Sequence, residues 1–270
     1  MSGPGEPLGG DKSRAGRPAG TNRVQPESRR GARPGPGAKP RRGPEPPPGQ
    51  ISVARVRVQY AKRGNARYLS HLDTIRALGR AFRRAQLPMA LSGGYNPQPK
   101  VAYATALAVG VESESEYVDL EMSRGLAPDE LARSLSAALP KGLELRRVQV
   151  VRLRGPALQS YASVSRYRIN PRPGAGGVPS GLADRVAELL ASDGLPVTRH
   201  GGKELDIRRY VRSLSIEGQE LVLELGADGR GAGRVDEILA MLGLDLSEWQ
   251  VLKTDFWPLA GEHKLSVWEA

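Results

Sequence analysis

The chain has 270 residues, with 40 Lys and Arg against 29 Asp and Glu and a net charge of +11. That length accommodates two ordinary domains, and an isoelectric point near 10.2 favours polyanionic partners, RNA being the commonest, or serves as a solubilising surface. The chain has no cysteine, which excludes disulfides, thiol nucleophiles and cysteine-ligated zinc or iron-sulfur centres on this polypeptide.

No apolar run approaches the ~18 residues that read as a membrane span, and the N-terminal stretch lacks a secretory signal, so a soluble cytoplasmic protein is expected. Residues 1–50 hold 11 of the 22 prolines and 11 of the 33 glycines, with ten basic residues against four acidic ones. Such a segment buries too little apolar surface to offset its ordering entropy, which predicts a disordered basic extension.

From Ile51 an alternating strand is predicted, with Val56, Val58 and Tyr60 on one face and Arg55, Arg57 and Gln59 on the other. Ser70 is placed to cap a helix that runs to about Ala85, with Asp73 three residues on. Its expected apolar stripe is Leu72, Ile75, Leu78 and Phe82, and its polar face carries Arg76, Arg80, Arg83 and Arg84. A short strand at 88–92 precedes a Gly/Pro loop. Extended segments follow at 100–109 and 116–122, interrupted by polar residues 112–115, then a helix from Ala127 to about Leu139 and a strand from Leu143 to Leu153.

The same order recurs after Gln159: a strand at 163–170, a helix at 180–191, a hairpin of 207–216 with 219–225, a helix at 235–242 and a strand at 249–256. Strand, helix, two strands, helix, strand is the ferredoxin-like split βαβ plan. The expected fold class is therefore α+β, with tandem ferredoxin-like domains at 51–157 and 158–260 and a tail at 261–270. In that plan Arg55 and Arg57 reach an open sheet face of the kind used to bind RNA, although Tyr60 falls on the other side and supplies no stacking platform there.

The block Tyr68-Leu69-Ser70-His71-Leu72-Asp73 is followed by Leu87-Pro88, then Gly94-Tyr95-Asn96-Pro97-Gln98-Pro99-Lys100, then Gly110-Val111-Glu112-Ser113 with Glu116-Tyr117 and Asp119. This series resembles the bacterial radical-SAM-linked family, a domain of unknown activity found beside or fused to radical SAM proteins. The resemblance implies an accessory chain that binds no cofactor itself. Its partner enzyme, on a separate polypeptide, would carry the iron-sulfur cluster and S-adenosylmethionine. Family members often have histidine where this chain has Gln98, so no metal role is assigned.

The residues themselves suggest an anion site. His71 lies in a first helical turn, where free amides favour anions and a neutral imidazole, and Ser70 either joins it or only caps the helix. Asn96, Gln98 and Lys100 sit on a loop held extended by prolines, and Lys100 is expected to converge with His71 on one anion. The arginines of the first helix present guanidinium forks that suit phosphate or form a solvated face. His71, Tyr68 and Lys100 also contain the parts of a base and a cation for metal-free RNA cleavage.

Arg208, Arg209 and Arg212 beside Tyr210 suit either nucleic acid or internal pairing. Gly226 to Arg234 reads as a flexible connection, since it lacks a P-loop ending. Glu112, Glu114, Glu116, Asp119 and Glu121 supply either an acid-base pair or an acidic face for a basic partner. The expected function is an accessory protein that binds RNA or a ribonucleoprotein and cooperates with a radical SAM enzyme. Its rivals are a metal-independent endoribonuclease and a protein-only adaptor.

Overall fold

The structure, a computed structural model, describes residues 49–174 and 176–270. The extension expected over 1–50 lies outside the described residues except for Gly49 and Gln50. Those two belong to the fold: the Gly49 carbonyl accepts from Leu91 N at 2.9 Å, and that of Gln50 from Lys100 Nζ at 3.2 Å.

In chain order the elements are β1 (Ala54–Lys62), α1 (His71–Arg84), β2 (Val101–Tyr103), β3 (Glu112–Met122), α2 (Pro128–Ala138), β4 (Leu143–Val151), β5 (Ala162–Pro171), α3 (Leu182–Ala191), β6 (Pro196–Arg199), β7 (Lys203–Asp206), β8 (Val211–Glu217), β9 (Glu220–Asp228), β10 (Gly231–Ala232), α4 (Val235–Met241), β11 (Trp249–Ala260) and β12 (His263–Lys264). The result is a mixed α+β fold, with four helices among the described residues and one large mixed sheet. Within that sheet β4, β1, β3 and β2 lie side by side and antiparallel, as do β11, β5, β9 and β8. Parallel pairing of Leu252 and Lys253 in β11 with Glu112 and Ser113 in β3 joins the two sets.

Alternation along the strands places the cores. Val56, Val58 and Tyr60 of β1 join Val118, Leu120 and Met122 of β3 beneath α1 and α2, because residues two apart share a sheet face. Tyr167, Ile169, Leu221, Leu223, Trp249 and Val251 form the matching floor beneath α3 and α4. The buried side of α1 is Thr74, Ala77, Leu78, Ala81 and Phe82. Leu72, expected in that stripe, is 61% exposed: it lies in the first helical turn, on the side away from the sheet.

The opposite sheet face differs from the open surface expected. Tyr117 and Phe256 pack there with Leu158 from the β4–β5 connection and with Val267 and Trp268, so part of the stretch read as a tail at 261–270 covers the sheet. Beneath it Arg57 is fully buried and Arg55 is 9% exposed.

Two further differences have local causes. Residues 112–115 continue β3 rather than interrupt the extended region, because their polar side chains find partners inside the fold. The β6–β7 hairpin was not expected, although Gly201 and Gly202, both at positive φ, make its turn.

Candidate functional site

The acidic side chains of β3 are consumed internally. Glu112 accepts from Gly64 N at 2.8 Å and pairs with Arg63 at 3.2 Å and Arg67 at 3.6 Å. Glu114 is bridged by Arg63 and, at 2.6 Å, by Arg146. Burial alone would raise the Glu114 pKa, but the hydrogen bonds from Arg146 and Arg63 outweigh it and hold the carboxyl below its ordinary value. Glu116 meets Lys253 at 2.9 Å, with both side chains buried. Asp119 takes a forked pair of bonds from Arg57, at 2.7 and 2.9 Å. Glu121 accepts from Ser52 at 2.5 Å and lies 3.5 Å from Arg55 and 3.7 Å from Lys100. Neither an unpartnered acid-base pair nor an open acidic face remains on this strand.

The helix start is held from below. Lys62, buried at the end of β1, donates to the Leu69 carbonyl at 2.7 Å, and burial lowers its pKa against the opposing charge of Glu116. Ser70 caps α1, its Oγ accepting from Asp73 N at 3.1 Å and donating to the Asp73 carboxylate at 2.7 Å. The His71 ring stands edge-on to Tyr103 with centroids 6.0 Å apart, and burial pushes the Tyr103 hydroxyl up to about 12. Tyr68 projects outward, 58% exposed, and takes a 2.8 Å hydrogen bond from Arg67.

Lys100 does not converge with His71. Val101 and Tyr103 of β2 pack into the core beneath α1, whereas Lys100 and Ala102 line a pocket of about 160 Å³ with Arg55, Asp119 and Glu121. Alternation along the extended chain therefore puts the two candidates on opposite sheet faces. The loop before Lys100 is a small hairpin of its own: Ser92 N donates to the Gln98 carbonyl at 2.7 Å, and the Gln98 amide reaches Asn96 at 3.2 Å.

Among the arginines of α1, Arg84 donates to the Ala138 carbonyl at the end of α2. Arg76 makes only an exposed i,i+3 pair with Asp73 at 3.2 Å, and Arg80 and Arg83 are exposed without an ion pair among the described residues. In the second set of arginines, Arg208 donates to the Leu190 and Ser192 carbonyls at the end of α3, whereas Arg209 and Arg212 are about half exposed, the first paired with Asp228 at 2.7 Å and the second 3.5 Å from Glu262.

A cleft of about 700 Å³ opens between the 104–109 segment and the 227–236 region, with Tyr161, Tyr167 and Arg199 on its walls. The glycines expected to form a flexible connection here shape a β9–β10 hairpin instead. A side chain at Gly231 would press on Tyr210 Oη at 3.0 Å, and one at Gly233 on Leu225 at 3.0 Å. Val109, 51% exposed, stands at the cleft rim, and the amide of Gly110 donates to the Arg67 carbonyl at 2.8 Å. That bond ties the segment following the rim to the residue before Tyr68.

Residues 55–235 match the model of a family described as uncharacterized protein conserved in bacteria (DUF2344). The chain belongs to that family. The matched region contains α1, the acidic strand β3 and most of the cleft lining, so the helix start and its buried supports fall within the family domain. A comparison with curated proteins found no match.

Similarity to solved structures is slight. A chain of a Cbf5-Nop10-Gar1 complex is 11% identical with a TM-score of 0.34; the match covers 74% of this chain and 47% of that one, so the family member spans about half its length. Ferric DtpA from Streptomyces lividans is 10% identical at a TM-score of 0.24, with coverage of 78% and 89%. A putative dyp-type peroxidase protein from Shewanella oneidensis is 11% identical at 0.21, with coverage of 76% and 91%.

Proposed function

We propose that the chain is a noncatalytic accessory protein that binds RNA or a ribonucleoprotein through the solvent face of α1, in partnership with a radical SAM enzyme on a separate polypeptide. The supporting observation is the contrast between arginines. Arg55, Arg57, Arg63 and Arg67 are spent on partners within the fold and the exposed Arg84 on the Ala138 carbonyl, while Arg76, Arg80 and Arg83 stand in solvent on one helix face. Guanidinium forks in such a row match phosphate oxygens.

The endoribonuclease reading would need a cation other than Lys100 beside His71 and Tyr68, because Lys100 lies on the opposite sheet face. The adaptor reading loses its acidic cluster to internal pairing. The radical SAM partnership rests on the motif resemblance around Tyr68 to Asp119. We read each four-strand set, with its two helices, as a ferredoxin-like unit, from the strand orders alone.

Titration of the full chain with RNA at several salt concentrations tests this reading. Affinity should fall with salt, and Arg76→Glu with Arg80→Glu should weaken binding for all sequences. The slope of log K against log salt should drop by about 1.4 if two single-strand phosphate contacts are lost. Unchanged binding in the double variant would leave the row as a solvated face. Crosslinking in cells should recover an iron-sulfur enzyme that uses S-adenosylmethionine, and its absence beside recovered RNA would remove the partnership.

A further inference from the structure

We infer that Tyr68 is a stacking platform for an unpaired nucleobase, so that the RNA taken by this surface is single-stranded. The inference rests on the RNA reading of α1 and adds the class of substrate.

Tyr68 is a large aromatic residue, 58% exposed, yet its ring is not left to wander. Arg67 Nη2 donates to its hydroxyl at 2.8 Å, and the Arg67 guanidinium carbon lies 4.6 Å from the ring centroid. The guanidinium thus holds the ring by its hydroxyl end, while the residue as a whole remains largely exposed. Arg67 is anchored in turn, its side chain 21% exposed and its Nη1 3.6 Å from Glu112. Glu112 is 7% exposed and is fixed by Gly64 N and Arg63. The Arg67 Nε is buried without a hydrogen-bond partner among the described residues. A partly buried ion pair therefore braces a ring that gains little apolar burial of its own.

The surroundings specify the occupant. Leu72, 61% exposed, four residues on in sequence, and Val109, 51% exposed, next to the Gly110 that bonds the Arg67 carbonyl, add exposed apolar side chains. Arg76 and Arg80 continue from Leu72 at four-residue steps, about 6 Å apart along the helix axis. An aromatic face followed by a row of cations is the arrangement that holds single-stranded nucleic acid, with bases on the rings and phosphates on the arginines. Bases in a duplex are stacked on one another and cannot reach Tyr68 without being flipped out. Every base has a π-face, so little sequence preference is expected.

Fluorescence anisotropy of the full chain tests the inference with three labelled probes of equal length: single-stranded oligouridylate, a strand with abasic sugars throughout, and a duplex. Tyr68→Ala should weaken oligouridylate binding about 5- to 140-fold and leave the abasic strand and the duplex unchanged. Tyr68→Phe, which keeps the ring, should retain most of the affinity. Arg76→Glu with Arg80→Glu should weaken all three probes. If that double variant binds all three as well as the wild type does, the RNA reading of α1 fails. If it weakens all three while Tyr68→Ala changes none, or changes the abasic strand equally, only the stacking inference is overturned. Displacement of oligouridylate by polyglutamate at similar concentration, lost in Tyr68→Ala, would also overturn it and assign the surface to an acidic protein.

Discussion

Removing one member of the Arg57–Asp119 pair should cost a large share of the protein's stability. Both side chains are buried, at 0% and 3% exposure, and Arg57 also donates to the Val267 and Ala270 backbone oxygens. Asp119→Ala leaves a guanidinium group in the interior with two of its donors unpaired, a loss of about 3–5 kcal/mol set against a total stability of about 5–15 kcal/mol. Arg57→Met strands the carboxylate instead and should cost a similar amount. The double variant Arg57→Met, Asp119→Leu removes both charges and keeps apolar volume, so its loss should not exceed that of either single variant. Urea denaturation followed through Trp249, Trp257 and Trp268 reads all four proteins, provided the slopes agree. A single-variant loss below about 1 kcal/mol, or a double-variant loss equal to the sum of the two, would mean that water reaches this face.

Gly142 has φ +88°, and a Cβ there would meet the Arg63 carbonyl at 2.7 Å and Ala66 Cβ at 2.8 Å. Gly142→Ala should therefore destabilise by more than about 1 kcal/mol and by more than Gly201→Ala, where φ is +83° but nothing lies within 4 Å; equal thermal shifts would contradict the clash. Acid should selectively weaken the β9–β10 turn. Burial would raise the Asp228 pKa, but bonds from Arg230 N, Tyr210 and Gly231 N and the charge of Arg209 bring it below the ordinary 3.8. A depressed carboxylate stabilises above 3.8 and loses that contribution as pH falls through its folded value. The stability gap between wild type and Asp228→Asn should accordingly narrow in acid, and a constant gap would refute the argument.

What the chain determined locally is what depends on neighbours in sequence. Alternation in residues 54–62 predicts β1, Ser70 predicts the start of α1, and the turn at Gly218 predicts the β8–β9 hairpin. Each of these rests on a period or a cap a few residues long. The exposed arginines of α1 were legible for the same reason, since they follow from helical spacing. Which polar residues are interior was decided only by the tertiary structure. Residues 112–115 read as a break because the partners of Glu112 and Glu114 lie 32 to 51 residues away. Arg57 read as solvent-facing because the segment above it comes from 210 residues downstream. Local pattern reports which side of a strand a residue takes, whereas only long-range packing supplies what covers that side. A buried charge is tolerable only where its counter-charge arrives, and that arrival is a property of the assembled sheet.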